Sequence, residues 1–437
     1  MIVAEYTLPG IHVRDHRVPA PLDWSAAGTG PSISLFAREL VDASRRDEDL
    51  PCLLYLQGGP GGKSPRPVSA TDVGWLGPAL KEFRVVLLDQ RGTGRSSPVD
   101  GETMKAFGTG AAGAGFLACF RADSIVADAE HLRRTVFGGR PWITLGTSYG
   151  GFLTLTYLSQ APEGVAACLV AGGLAAIRPS ADEVYRRTYP RVEAKNRVYQ
   201  RRYPADAEVV HRVADLLAAG EVRLPDGDLL TVRRLQTLGL DFGMKPGFER
   251  VHWIFDEAFA DEKQERLTDT FLSAVWRTTS FADRPLFTVL QESLYGSGPG
   301  AATAWAAERE RARHPGFAPD ARPLLFTGEM IYPWMFEEIG PLRPFAPAAE
   351  ELAARTEWTE LYAPDRLAAN EVPVAAVVYH DDMYVDAGLQ HETAAAVGNV
   401  RTWVTNAYEH DGLHEGPDVF THLLGMLRDE GQLPRFG

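Results

Sequence analysis

Cysteine, excess positive charge and long apolar runs are all scarce in this 437-residue chain, and each shortage excludes something. The three cysteines, Cys52, Cys119 and Cys168, are odd in number, widely spaced and without a C-x-x-C. They make no disulfide framework, and their apolar or small neighbours point to buried free thiols. Lys and Arg number 44 against 58 Asp and Glu, a formal charge of -14. Nucleic-acid binding needs clustered cations to displace counterions, so no nucleic-acid partner is expected. The acidic balance reads as solubility. No stretch approaches 18 uninterrupted apolar residues, so no membrane partner is expected either. The opening MIVAEYTLPGIHVRDH lacks a basic segment followed by an apolar one. No secretory signal is therefore visible, and a cytoplasmic location is the expectation. No H-E-x-x-H or Cys/His pattern is present, so neither a metal nor a cofactor is expected.

What is present is a rhythm of short apolar runs. SISLFAREL, CLLYLQ (52–57), RVVLLDQ (84–90), WITLG (142–146) and VAACLVAGG (165–173) alternate with helical segments such as SIVADAEHLRRTVFG. That alternation predicts βαβ units, a mostly parallel sheet and an α/β fold. From about 179 to 365 the texture becomes Arg- and aromatic-rich and helical. Strand-like VPVAAVVYHDD (372–382) and VRTWVTN (400–406) then return. We therefore expect an α/β core over 1–178 and 366–437, interrupted by a mainly helical cap over 179–365. An insertion of that size is expected over the C-terminal strand ends, where such sheets bind ligands.

The segment WITLGTSYGGF reads as strand, G-x-S-x-G, helix, with Gly146 and Gly150 flanking Ser148. A serine on so sharp a turn needs small neighbours two residues away, and it projects Oγ above the sheet. This is the nucleophile elbow of α/β-hydrolases, with the N–H of Tyr149 opening a helix beside it. A second Gly-rich turn, QGGPGG (57–62), lacks both the P-loop ending and the dinucleotide spacing. In such a fold the Gly59 N–H joins that of Tyr149 to make an oxyanion hole. Asp89 and Arg91, in VVLLDQRGTGRSSP, read as scaffold that ties loops together by ion pairing.

A nucleophilic serine needs a base, and the base needs an orienting acid, in the chain order Ser, Asp, His. Asp381, Asp382 and Asp386 follow the strand VPVAAVVYH, and His410 and His414 follow VRTWVTN. Both groups sit at strand ends on the face that carries Ser148. Asp382 is preferred because it lies far enough past its strand to enter the loop. His410 is preferred because His414 adjoins the last helix.

Taken together, QGGPG, DQRGTGRS, GTSYGGF, DDMYVD and EHDGL resemble the prolyl aminopeptidases, in particular their longer bacterial subgroup. The resemblance places nucleophile, acid and base on Ser148, Asp382 and His410. Gln57 departs from the usual histidine of H-G-G-P-G, and the acid loop carries extra carboxylates. The resemblance implies a serine aminopeptidase that takes peptides with a free N-terminal proline and forms an acyl-enzyme. Cap segments LFTVLQESLY and LLFTGEMIYPW nominate Glu292 and Glu329 to bind the amine. Tyr295, Tyr332 and Trp334 stand as either proline-pocket wall or cap core. The alternatives are a tripeptidyl or broader aminopeptidase, an esterase or amidase, or a non-catalytic binding protein of the same fold.

Overall fold

The apolar runs all enter one nine-stranded sheet. In the computed structural model, which describes residues 1–26, 28–261, 263 and 265–433, the strands are β1 (Ile2–Leu8), β2 (Ile11–Pro21), β3 (Ser32–Asp42), β4 (Cys52–Leu56) and β5 (Arg84–Asp89). They continue with β6 (Trp142–Thr147), β7 (Val165–Ala171), β8 (Val374–Tyr379) and β9 (Val400–Thr405). Their order across the sheet is β1-β2-β3-β5-β4-β6-β7-β8-β9. Pairing is antiparallel from β1 to β5 and parallel from β5 to β9. Every residue of β6 and β8 is buried, because helices cover both faces of a parallel sheet.

Two apolar cores sandwich the sheet. On one face Ile125, Leu132, Leu153 and Leu158 pack on Leu54, Val86 and Val170. On the other, Phe420, Leu423 and Leu427 of the final helix pack on Leu53, Val85 and Leu169. A third core lies between β7 and β8 in sequence. There the chain forms α- and 3-10 helices, and the β-pairing among the described residues is limited to isolated bridges. This third core also draws in Val99, Met104, Leu117 and Phe120 from the first part of the chain, and Met383 and Tyr384 from the last.

Two expectations need correction. The hairpin β1–β2, joined at Pro9-Gly10, was not anticipated; β1 is largely exposed and β2 carries His, Arg and Asp, so neither reads as an apolar run. The thiols are free as expected, but only Cys168 is fully buried, whereas Cys52 and Cys119 are half-buried. Among the described residues no helix is long and apolar enough to cross a membrane.

Strand order fixes where chemistry belongs. After β4 the chain moves one way to β5, and then places β6 on the other side of β4. The crevice at such a reversal opens at the C-terminal strand ends. The turn after β4 is QGGPGG, and the residue after β6 is Ser148.

Candidate active site

Ser148 sits between β6 and the helix Tyr149–Gln160 at φ 52° and ψ -121°, a conformation that is strained for a residue with a side chain. The surrounding glycines make it possible. A Cβ on Gly146 would overlap the Gly150 carbonyl, and one on Gly150 would overlap that of Leu56. Gly151 and Gly173 interlock in the same way beneath the turn. The Ser148 N–H donates to Ala171 O (2.9 Å) at the end of β7, which anchors the elbow to the neighbouring strand.

The turn after β4 lies against this elbow. A Cβ on Gly58 would come within 3.2 Å of Ser148 Cβ. Gly59 adopts φ 124°, and among the described residues its N–H has no backbone acceptor. Tyr149 opens its helix, so its N–H has no partner one turn earlier. Gln57 accepts a hydrogen bond at its carbonyl from Gln90 Nε2 (2.8 Å), while its buried side-chain oxygen is unpaired. Asp89 and Arg91 are scaffold, as the sequence suggests. Asp89 accepts from Arg66 and from the N–H groups of Ser64 and Arg95. Buried Arg91 grips Asp128 through two bonds of 2.7 and 2.6 Å and also donates to Leu22, Cys119 and Pro21 carbonyls.

The loops after β8 and β9 bring Asp382 and His410 together. His410 Nδ1 lies 2.6 Å from Asp382 Oδ2, and the other carboxylate oxygen accepts the N–H groups of Tyr384 (2.8 Å) and Val385 (3.1 Å). The carboxylate is fully buried and held on both sides. Burial would depress the His410 pKa, but the Asp382 charge and hydrogen bond outweigh it and raise the imidazole above its ordinary value. His410 also borders the end of β7: a Cβ on Gly172 would lie 3.3 Å from its Nδ1. Ser148 and His410 therefore flank the same strand end, at Ala171 and Gly172.

Of the neighbouring candidates, Asp386 is engaged elsewhere and the other two are exposed. Asp381 is exposed. Asp386 caps the helix Ala387–Ala396 through Leu389 N–H (2.9 Å) and pairs with Arg191 (2.5 Å). His414 is exposed beside the last helix.

The two cap glutamates differ. Glu329 is half-buried and shares its surroundings with the His410–Asp382 pair. Burial pushes its carboxyl up to about 7; the Asp382 charge adds to the rise, and His410, Gln291 and Arg284 oppose it. Glu292 is buried, and its two oxygens accept the N–H groups of Ala306 (3.1 Å) and Ala307 (2.9 Å) at the start of a short helix. Burial pushes it also up to about 7, against those hydrogen bonds. Tyr295 packs edge-on against Tyr185 (6.4 Å), and burial raises both phenols with added effect from both glutamates. Tyr332 bonds Tyr189 Oη (2.8 Å) and stacks with Trp334 inside the cap, so these two are cap core. Tyr185 was missed from the sequence. Its buried hydroxyl is unpaired, and the only signal was a stripe of Tyr185, Tyr189, Val192, Asn196 and Tyr199 on one helix face.

Comparison with known proteins finds relatives along nearly the whole chain. A family profile for the alpha/beta hydrolase fold matches residues 51–214. A proline iminopeptidase of Aeromonas sobria is 45% identical over 426 residues, which is 97% of this chain and 98% of that protein. A proline iminopeptidase of Aspergillus aculeatus is 33% identical over 428 residues, covering 94% of this chain and 93% of its own. At that identity over nearly the full length of both proteins, the chain belongs to the proline iminopeptidase family of α/β-hydrolases.

Proposed function

We propose that this protein is a serine aminopeptidase that releases N-terminal proline from peptides through an acyl-enzyme. The observation that carries the reading is Glu329: a half-buried carboxylate of the cap, close enough to the His410–Asp382 pair to feel both charges, where a cationic substrate group would offset the burial that raises its pKa.

In this reading His410 removes the proton from Ser148 Oγ as it attacks the prolyl carbonyl. The Gly59 and Tyr149 N–H groups hold the oxyanion. Asp382 orients the imidazole and stabilises its charged form. His410 then protonates the departing peptide amine, and water releases proline by the same steps in reverse. Glu329 anchors the proline nitrogen, and Glu292 adds a second negative charge along the Tyr185–Tyr295 wall. Residues 179–365 act as the cap that excludes longer N-terminal extensions. A cytoplasmic location is part of the proposal, tested by following the activity through cell fractionation.

The test compares Pro-, Ala- and tripeptide-linked chromogenic amides with an N-blocked amide and an ester. Pro-amide hydrolysis should lead, and Glu329→Gln should reduce it by about 100-fold or more, the scale of losing a buried charged partner. The same variant should hydrolyse the blocked substrate about as fast as wild type. A Pro-amide rate no better than the Ala-amide rate refutes the substrate, and equal losses on both substrate types refute the amine anchor.

A further inference from the structure

The triad loops belong to the sheet, but the cap holds them. From the cap helix Ala181–Arg202, Lys195 Nζ meets both oxygens of Glu409, at 2.7 and 2.5 Å. Glu409 immediately precedes His410. Lys195 is buried, with 9% of its side chain exposed, and a buried ammonium is tolerated only when paired. One turn earlier, Arg191 donates to the carbonyl of His380 (2.9 Å) and pairs with Asp386 (2.5 Å). These two contacts bracket Asp382 from either side.

A second cap segment grips the base loop through its backbone. The His410 N–H donates to Gly243 O (3.0 Å), and Lys245 N–H donates to Asp411 Oδ1 (2.9 Å). The Tyr384 hydroxyl donates to Leu240 O, and its ring stands edge-on to the His410 imidazole at 4.8 Å and 81°. Helix and turn thus approach the acid–base pair from two directions.

We infer that Lys195 and Arg191 are positioning residues, through which the seated cap fixes Asp382 and His410 in the orientation that Ser148 requires. The inference rests on the triad reading above. It makes the cap a structural part of the catalytic machinery as well as its lid. The ion pairs fix the loops at points one to four residues from the reacting groups.

The test follows Lys195→Met, Lys195→Arg and Glu409→Gln, with kcat and KM for Pro-amide and the rate of fluorophosphonate labelling of Ser148. Labelling reads the nucleophile without using the amine site. Lys195→Met should lower kcat and the labelling rate together, on the order of 10- to 100-fold, as small misplacements of catalytic groups do. KM should change little, and Lys195→Arg should recover most of the loss. Glu409→Gln, made on a more exposed residue of the core, should reproduce the loss and add little to Lys195→Met. It keeps the test decisive should Lys195→Met not fold. Labelling within twofold of wild type in both single variants overturns the inference, as does a rise in KM at unchanged kcat. If wild-type Ser148 is not labelled at all, the triad reading itself fails, which is a separate result.

Discussion

At the scale of single residues, the acid assignment is the sharpest consequence of the geometry. Three aspartates follow β8, and each has a distinct use. Asp382 contacts His410 and is the acid of the proposed mechanism, Asp386 caps a helix and receives Arg191, and Asp381 faces solvent. Asp382→Asn should therefore lower kcat by about 10⁴-fold, because the amide offers the wrong partner to Nδ1. Asp386→Asn should lose at least 100-fold less, and should mainly lower Tm. The pH profile follows from the same pair. If His410 is the base, as proposed, it must be neutral to act, and its pKa is raised, so kcat should fall on acidification from a point above 6.5. In the proposed reading Glu329 must be charged to hold the amine, so with its pKa near 7 kcat/KM should fall over the same range. The signs agree: both ionisations favour the neutral-to-alkaline side. Stability runs the other way. Because the Glu329 pKa rises on folding from 4.5 to about 7, its buried charge costs nothing below the lower value and its full penalty above the upper one.

At the scale of elements, the elbow was legible because its requirements are local. Strand, two flanking glycines and helix stand in eleven consecutive residues, and steric contact explains each glycine. Gly150→Ala should prevent the turn from closing, since its Cβ would overlap Leu56 O. We expect loss of soluble, folded protein or a Tm lowered by about 10 °C or more, measured by calorimetry. The hairpin β1–β2 was not legible, because one strand is exposed on both faces and the other hides His16 and Asp15 in ion pairs. Only the Pro-Gly turn signalled it. The choice of Asp382 over its neighbours was open in the sequence for a related reason: contact with His410 spans 28 residues and is set by which loop reaches the end of β7. The cap contacts of Lys195 and Arg191 were not legible at all. They join residues about 200 positions apart, and an Arg-rich helix reads the same whether its charges meet solvent or another element.

At the scale of the molecule, long-range ion pairs stitch the parts. The buried Arg91–Asp128 bond joins the loop after β5 to the helix Ala122–Thr135, and Trp24 Nε1 adds a third contact to the same carboxylate (2.9 Å). Asp128→Asn leaves a buried guanidinium uncompensated. It should destabilise the fold by about 3–5 kcal/mol in urea denaturation while leaving KM unchanged, if the protein unfolds in one transition.

The placement of the cap within the chain also sets a timetable. β7 ends at Ala171, and its parallel neighbour β8 begins only at Val374, about 200 residues later. On a ribosome adding 5–20 residues per second, roughly 10–40 s separate the two strands. Throughout that interval the nascent chain carries Ser148 without the acid and base proposed for it, and the flank of β7 stands open to any passing strand. The growing enzyme is thus hydrolytically silent but vulnerable to aggregation, and chaperone demand should peak while the cap is being made.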